Sequence, residues 1–228
     1  MKKLISLLAA LLATAGLCHA QIGIIGGYTA SSAGLASADL QALSSVSQWQ
    51  AGVAYRIKLG PVFALQPALS YQTKGLDASE SLVSLSSQAD LASLQMASRT
   101  GFLELGLGMQ LGVDLLVFRP FLLLEPFIGY AVNPGEETLS YASSYTSATA
   151  ALDEVNAALS AAKNKFEVGF GAGGGIELMN HLQISVQWFM NFGSLYDAGK
   201  LDGSNVLSLY RNTYKNYKNY QGIKINLG

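Results

Sequence analysis

Residues 166–192 read FEVGFGAGGGIELMNHLQISVQWFMNF and decide the fold of this 228-residue chain. On both sides of the break at 179–181, the even-numbered residues are almost all apolar. The odd-numbered residues are glycine, glutamate, serine or an amide, with Phe189 as the exception. An alternation of period two places each set on one face of a β-strand. The stretch therefore predicts an antiparallel hairpin with one apolar face and one polar, glycine-rich face.

The glycines indicate which face points inward. Glycine weakens a strand and has no use on a water-facing surface. The interior of a small closed barrel, by contrast, has little room and favours small residues. The large apolar side chains then point outward, which requires a surrounding lipid. This pattern is typical of a transmembrane β-barrel.

Composition and the first residues agree with an exported membrane protein. The chain is 50% hydrophobic and 13% charged, and its net charge of −1 gives no electrostatic case for nucleic-acid binding. Met1–Ala20 has the two lysines, the apolar run and the A-x-A-like end of a secretory signal peptide. We expect residues 1–20 to be removed, which leaves one domain, the barrel of residues 21–228. The mature chain then has no cysteine and a net charge of −3, from 14 − 2 = 12 basic and 15 acidic residues.

Eight segments carry the same alternation, and they predict an all-β fold: an eight-stranded antiparallel up-and-down transmembrane β-barrel. Strands are predicted at 22–29, 49–59, 63–72, 103–113, 121–132, 166–178, 182–192 and 222–227. About ten residues cross a bilayer when a strand is tilted. Long polar connections at 31–47, 73–99, 133–165 and 193–216 alternate with short turns, so the long ones are predicted to be extracellular and both chain ends periplasmic. Pro67 and Pro126 predict β-bulges, and the spacing of apolar residues over 152–162 predicts a short helix.

Aromatic residues near the outer ends of the strands predict an interfacial girdle. In six strands the lipid-face residue nearest that end is aromatic: Tyr28, Trp49, Tyr71, Tyr130, Phe166 and Phe192. The fourth strand departs from the rule, because Phe102 falls on the lumen face.

Charged residues in the strands all fall on the polar face, so they predict a lumen charge cluster of Arg56, Lys58, Glu104, Glu125, Glu167, Glu177 and Lys224. Isolated buried charges are strongly unfavourable, so these groups are expected to pair and to plug the lumen. Glu177 and Lys58 are expected toward the periplasmic end, and Glu104 and Glu167 toward the outer end, with Lys74 as a candidate partner. The alternative is that the charges line a hydrated interior.

The mature chain resembles the small eight-stranded bacterial outer-membrane barrels, in particular the PorT-like outer-membrane protein β-barrel family. The resemblance rests on the signal peptide, the first strand with Gly23-x-x-Gly26-Gly27, and the apolar strand at 102–105 that precedes a turn and another apolar strand. Barrels of this kind end in an aromatic residue, whereas this chain ends in Asn226–Leu227–Gly228. The resemblance implies a location in the bacterial outer membrane and carries no activity.

No constellation predicts an enzyme, a cofactor site or a metal site. The match of residues 169–174 to a dinucleotide fingerprint lies within a strand and precedes another strand, whereas that motif requires a following helix. His181 is the one histidine of the mature chain and falls in a predicted periplasmic turn, far from where a surface lipid hydrolase would need it. Asp197 and Asp202 do not have the spacing of a calcium loop.

The expected partners are outer-membrane lipid, lipopolysaccharide and the outer-membrane assembly machinery. Arg211, Lys215 and Lys218 alternate with tyrosines, including Tyr220, before the last strand, which suits anionic lipid headgroups and the girdle. An ordinary tyrosine-rich strand extension is the alternative. No extracellular ligand follows from the sequence.

Two functions remain open from the sequence. The first is a non-enzymatic barrel with a mostly closed lumen that displays surface loops for structural or binding roles. The second is a narrow porin-like channel for small solutes. An eight-stranded barrel is filled by side chains, which favours the first.

Overall fold

Ten β-strands make up most of the computed structural model, which describes residues 20–35, 43–81, 93–133, 135, 137–141, 157, 160–179, 181–197 and 217–228. The strands are β1 (Ala20–Leu35), β2 (Leu43–Ser44), β3 (Val46–Lys58), β4 (Phe63–Ser81), β5 (Ser93–Gly112), β6 (Phe118–Asn133), β7 (Glu137–Tyr141), β8 (Phe166–Leu178), β9 (Leu182–Asn191) and β10 (Tyr217–Leu227). Residues 157 and 160–162 are helical, while the rest of the helix predicted at 152–162 lies outside the described residues.

Eight of these strands form a closed antiparallel barrel, which confirms the predicted fold class. Each long strand pairs with its neighbour along the chain, β1 pairs with β10, and the ring order is β1-β3-β4-β5-β6-β8-β9-β10. The short strands β2 and β7 add to β4 and β5 at one end of the barrel.

The two faces of the wall are arranged as the alternation predicts. On β8 and β9, the odd-numbered residues lie in the interior and the even-numbered apolar residues lie on the outside. Large apolar side chains are exposed around the wall, such as Leu122 at 67% and Leu105 at 52%. The buried interior instead holds most of the charged and amide side chains of the strands. Phe189, the exception to the alternation, is fully buried in the lumen.

The strands at one end are longer than the sequence predicts. β4 and β5 hold 19 and 20 residues and remain paired as far as Ser81 and Ser93, within the stretch expected to be a loop. β1 likewise continues to Leu35. These extensions are serine-rich and lack the apolar alternation, because a hairpin beyond the bilayer needs no lipid-facing side. Strand assignment by apolar periodicity therefore stops too early here.

The predicted bulges at Pro67 and Pro126 are wrong. The register between β4 and β5 runs without a shift through Pro67, and that between β6 and β8 runs without a shift through Pro126. Each proline instead leaves a gap in the pairing with the strand on its other side, β3 for Pro67 and β5 for Pro126. A missing N–H removes ladder bonds without requiring an extra residue. Among the described strands, register shifts occur at Ala33/Leu35 and at Gly101/Phe102.

Short turns close the other end of the barrel. Residues 59–62, 113–117 and 179–181 connect β3 to β4, β5 to β6 and β8 to β9, and Gly60 takes a positive φ of 108° that glycine adopts without strain. Ala20 pairs with Ile57 and Leu227 with Ile184, so both described ends of the chain lie at this turn end. The predicted signal peptide falls outside the described residues, apart from Ala20. No helix in the described part of the chain is long and apolar enough to cross a membrane.

Candidate functional site

Two ion pairs connect opposite walls of the barrel. Lys224 on β10 contacts Glu104 on β5, and Arg56 on β3 contacts Glu177 on β8. In the eight-strand ring, β10 lies opposite β5 and β3 lies opposite β8. Both pairs therefore cross the lumen at its full width, and each is the centre of a larger cluster of charges.

The first group, here called the central cluster, consists of Lys74, Lys224, Glu104, Glu125 and Glu167. Lys74 Nζ lies 3.0 Å from Glu104 Oε2 and 2.9 Å from Glu167 Oε1. Lys224 Nζ lies 2.5 Å from Glu104 Oε1 and 3.8 Å from Glu125 Oε1. Glu104 thus accepts one lysine on each oxygen, and both lysines are almost completely buried. Pairs this close offset part of the cost of burying the charges.

Neutral amides add further hydrogen bonds to the central cluster. Lys74 also donates to Asn191 Oδ1 at 3.3 Å, and Asn191 Nδ2 donates to Glu167. Gln187 Nε2 donates to Glu125 Oε1 at 3.0 Å. The carboxylates are therefore held in place by partners from both β9 and the opposite wall.

Aromatic rings fill the space around the two lysines. Lys74 Nζ lies 4.6 Å from the ring centroid of Phe127 and 4.9 Å from that of Phe189, and Lys224 Nζ lies 4.6 and 5.3 Å from the same two rings. At these distances the ring faces attract the cations. The lumen at this level thus holds two lysines, three carboxylates and packed phenyl rings.

The second group, the turn-end cluster, consists of Arg56, Lys58, Arg119 and Glu177. Glu177 is buried and contacts Arg56, with Arg119 Nη1 at 3.5 Å and Lys58 Nζ at 3.9 Å. Neither Glu177 oxygen accepts a hydrogen bond of regular geometry from the described residues, so these contacts are chiefly electrostatic. Arg119 also donates to Gln110 Oε1 at 3.1 Å and lies 3.3 Å from Asp114 at the rim.

The structure places all seven sequence-predicted lumen residues in the interior and in ion pairs. Lys74, the candidate partner, joins Glu104 and Glu167 because β4 continues past the predicted end of its strand. Arg119 was missed, since residues 114–119 were assigned to a turn. Arg119 has an odd number, like the inward-facing Phe121 and Leu123 of the same strand. Extending the alternation by one pair of residues would have predicted that it faces the lumen.

Glycines make room for the buried carboxylates. A Cβ on Gly129 would lie 2.5 Å from Glu167 Oε1, and a Cβ on Gly106 would lie 3.2 Å from the carboxyl carbon of Glu125. Gly129 pairs with Glu167 across β6 and β8, so the missing side chain and the acid are neighbours in the same row. The glycine-rich face and the charge clusters are therefore parts of one arrangement.

Some buried polar groups of the interior are less completely paired. The Gln72 amide and the Thr29 hydroxyl are fully buried and have no hydrogen-bond partner among the described residues. Cavities of about 240 and 170 Å³ lie at the turn end of the lumen, and both are lined by Glu177. These features show that the interior is not uniformly packed.

The six predicted girdle residues all lie on the outer surface. Tyr28, Trp49, Tyr130, Phe166 and Phe192 are 52–66% exposed, and Tyr71 is partly exposed with its ring centroid 5.5 Å from that of Trp49. For Tyr220 the structure supports the alternative, a tyrosine-rich extension of the last strand, and not a place in the girdle. Its side chain is fully buried in the lumen, edge-on to Phe102 at 6.1 Å, because β10 extends past the predicted strand and continues its parity. The side chains of Arg211, Lys215 and Lys218 lie outside the described residues.

Comparison with known proteins agrees with this architecture. The family model described as "Outer membrane protein beta-barrel domain" matches residues 19–197 of the 228. The chain belongs to this family. The protein is therefore an outer-membrane barrel of bacteria, with the apolar outer wall facing lipid.

Further comparisons add little beyond the family. The crystal structure of Neisserial surface protein A (NspA) is similar over 91% of this chain and 95% of that chain, with 9% sequence identity and a TM-score of 0.41. The search of curated proteins found no match to this chain.

Proposed function

We propose that this protein is a non-enzymatic outer-membrane barrel with a closed lumen, and that its role is to display long extracellular connections for structural or binding purposes. The observation that carries the proposal is the pair of ion bridges across the full width of the barrel, Lys224–Glu104 and Arg56–Glu177. They lie at two levels, so a solute would have to displace both.

The size of the barrel supports a closed lumen. Eight strands leave an interior that side chains can fill, whereas open porins have about 16–18 strands. Here Lys74, Phe102, Phe189 and Tyr220 are among the largest fully buried side chains, and all four project inward. A hydrated ion would meet both this layer and the turn-end cluster.

The difference between the two ends of the barrel supports an orientation in the membrane. We place the extended β4–β5 hairpin and the long connections outside the cell, and the short turns with both described chain ends in the periplasm. Outer-membrane barrels have short periplasmic turns and longer outer loops, which supports this orientation. Lipopolysaccharide and the assembly machinery are the partners that this location implies. Within the family, the Gly23-x-x-Gly26-Gly27 strand supports a place among the PorT-like barrels.

The proposal of a non-enzymatic role rests on the chemistry of the side chains. Within the described residues, no group of three or more histidine, cysteine or acidic side chains is arranged to hold a metal. His181 is exposed at the turn end, where its Nδ1 contacts the Met179 carbonyl. The charges of the central and turn-end clusters are in ion pairs with one another, and buried Lys163 Nζ donates a hydrogen bond of 2.6 Å to the Ser98 hydroxyl, which therefore acts as an acceptor.

Conductance in planar bilayers tests the closed lumen. Two double variants each remove one bridge without changing the net charge: Glu104→Ala with Lys224→Ala, and Arg56→Ala with Glu177→Ala. We expect no steady current from the wild type or from either double variant, and steady current from the quadruple variant. Arg99→Ala, at an exposed position on β5, serves as the silent control. A quadruple variant with a β-type circular dichroism spectrum and no current would show that the aromatic side chains, not the ion pairs, close the lumen.

The second candidate is a narrow channel for small solutes. The Gln72 amide and the Thr29 hydroxyl, which have no hydrogen-bond partner in the described part of the chain, favour it together with the two turn-end cavities, because buried polar groups of this kind hold water in proteins. Steady current from the wild-type barrel would make this channel the function and would reject the plug.

A further inference from the structure

One strand of the barrel has an unpaired edge at the turn end. The pairing of β1 with β10 runs toward that end as far as Gly26 and Leu227. β1 continues beyond this pair to Ala20 and remains paired with β3 on its other side. Among the described strands, none pairs with the β10 side of residues 21–24, here called the free edge.

The side chains of the free edge lie on the lipid face. Ile22 and Ile24 are 82% and 79% exposed, whereas Val53 on β3 and Ile225 on β10, which have a strand on both sides, are 51% and 50% exposed. An open strand edge is unfavourable in hydrocarbon, because its N–H and C=O groups have no hydrogen-bond partner there. The free edge therefore requires a partner that supplies these hydrogen bonds.

A cavity of about 240 Å³ lies beside the free edge and is here called the seam slot. Gly23 lines one side, and His181 and Gln183 line the other. Gly228 and Gln183 exchange two backbone hydrogen bonds of 2.8 and 2.6 Å, so the slot begins where the row of β10 stops. Between β1 and β9 one strand position is left, which corresponds to two strand spacings or about 10 Å. The seam slot therefore has the width of one extended strand.

The seam slot has a polar side and an apolar side. Arg56, Gln66 and Glu177 line it toward the lumen, and Ile22 lines it toward the outside. A strand presents alternate side chains to opposite faces. A segment that alternates polar and apolar residues would thus match both sides of the slot, while its backbone supplies the hydrogen bonds that a lipid chain lacks.

We propose that the seam slot is a docking site for an extended segment of a periplasmic polypeptide, which pairs with β1 as an antiparallel strand in the row of β10. The site continues an existing interface, because β10 pairs with β1 and β9 directly beside it. Strand addition to an exposed sheet edge is a common mode of peptide recognition. The choice of a periplasmic partner rests on the proposed orientation, which puts the turn end on that side.

A synthetic peptide of alternating valine and threonine, VTVTVT, is the probe for the seam slot. It is added to the purified full chain in detergent, and binding is measured by fluorescence polarisation of the labelled peptide. We expect one peptide per barrel and slower amide hydrogen exchange within residues 22–24. The peptide VPVPVP lacks half of the backbone donors and should bind about tenfold more weakly. Equal binding of the two peptides, or unchanged exchange, would overturn strand addition.

Gly23→Phe tests the position of the site. A Cβ on Gly23 would have no atom within 4 Å, so the ring can enter the seam slot without a backbone clash. Binding of VTVTVT should weaken by about tenfold, through the loss of about two ladder hydrogen bonds. Gly26→Phe is the matched control, since its register partners Ala51 and Leu227 are exposed on the outer wall, and it should bind as the wild type does. Equal loss in both variants would place the peptide elsewhere and overturn the site.

Mass spectrometry distinguishes the other possible occupants of the seam slot. Residues beyond Gly228 that protect the free edge without added peptide would place the strand in the same chain, and a dimer with a protected free edge would place it in a second copy. Either result would overturn docking of a separate polypeptide. Binding in detergent does not depend on the orientation or on the ion bridges, so bilayer conductance of the same preparations tests the closed lumen independently.

Discussion

Lys224 Nζ and Glu104 Oε1 lie 2.5 Å apart although their strands, β10 and β5, stand on opposite sides of the barrel. Arg56 and Glu177 repeat this relationship between β3 and β8. A pair between neighbouring strands would leave the lumen open beside it, whereas a pair between opposite strands occupies the centre. The same contacts therefore bear on both the permeability and the stability of the barrel.

The first prediction concerns the stability contributed by the central bridge. Lys224→Met leaves buried Glu104 with only Lys74, and we expect the free energy of unfolding to fall by about 3–5 kcal/mol. Adding Glu104→Gln removes one of the three acids that then share a single lysine, so the double variant should be less destabilised than the sum of the two single changes by about 0.5–3 kcal/mol. Urea unfolding of the protein in lipid vesicles measures each value.

An exposed ion pair provides the control for this cycle. Asp114 lies 3.3 Å from Arg119, but its side chain is 51% exposed at the rim. Asp114→Asn should therefore change the free energy of unfolding by less than about 1 kcal/mol. Strictly additive effects in the Lys224 and Glu104 cycle would contradict a coupled bridge.

The alternation of residues predicted the barrel because charged side chains are unfavourable on a wall that faces lipid. Across the crossing strands, each side chain must be apolar or must point inward, so parity alone assigned Glu104, Glu167 and Lys224 to the interior. Phe102 was assigned inward on the same ground and is 2% exposed. The face of a residue is thus readable from the sequence, whereas its partner depends on the register and on which strands stand opposite.

The missed features lie where the lipid constraint ends. Arg119 and Tyr220 are near strand ends, and the hairpin beyond Thr73 lies outside the apolar pattern. The predicted strands therefore end where the apolar alternation ends, whereas the strands of the structure continue further. The prolines were read as bulges because a lost ladder bond and an inserted residue give the same sequence signal. Opposite-wall pairing could not be predicted, because the up-and-down order gives the opposing strands but not the register that brings particular side chains to the same level.

The second prediction concerns the lipid face. Leu107, Val168 and Val186 are 39–49% exposed on the outer wall and are expected near the bilayer midplane. An arginine at any of them should lower the free energy of unfolding by about 2–4 kcal/mol. Leu116→Arg, in a turn where the side chain is fully exposed, should cost about 0–1 kcal/mol. Negligible losses at all three wall positions would mean that the outer wall does not face lipid.

The third prediction concerns the inward glycines. A Cβ on Gly169 would lie 2.2 Å from Phe127 Cζ and 2.7 Å from the Met190 carbonyl oxygen. Gly169→Ala should therefore destabilise the barrel by about 1–3 kcal/mol through overpacking. Gly23 has no atom within 4 Å of such a Cβ, so Gly23→Ala should stabilise by about 0.4–1 kcal/mol through the unfolded chain. If both variants changed the free energy of unfolding in the same direction relative to the wild type, the interior would not be packed as described.

The fourth prediction fixes the orientation. The one cysteine of the chain, Cys18, lies in the predicted signal peptide, so single cysteines can be introduced into a cysteine-free mature barrel. Ser87→Cys, between the paired ends Ser81 and Ser93, should react with a membrane-impermeant maleimide on intact cells, whereas Leu116→Cys should react only after permeabilisation. In the sequence Ser87 precedes β5 and Leu116 follows it, so the pattern reports which end of β5 faces the medium. Labelling of Leu116→Cys alone on intact cells would show that the barrel has the opposite orientation, with the short turns facing the medium.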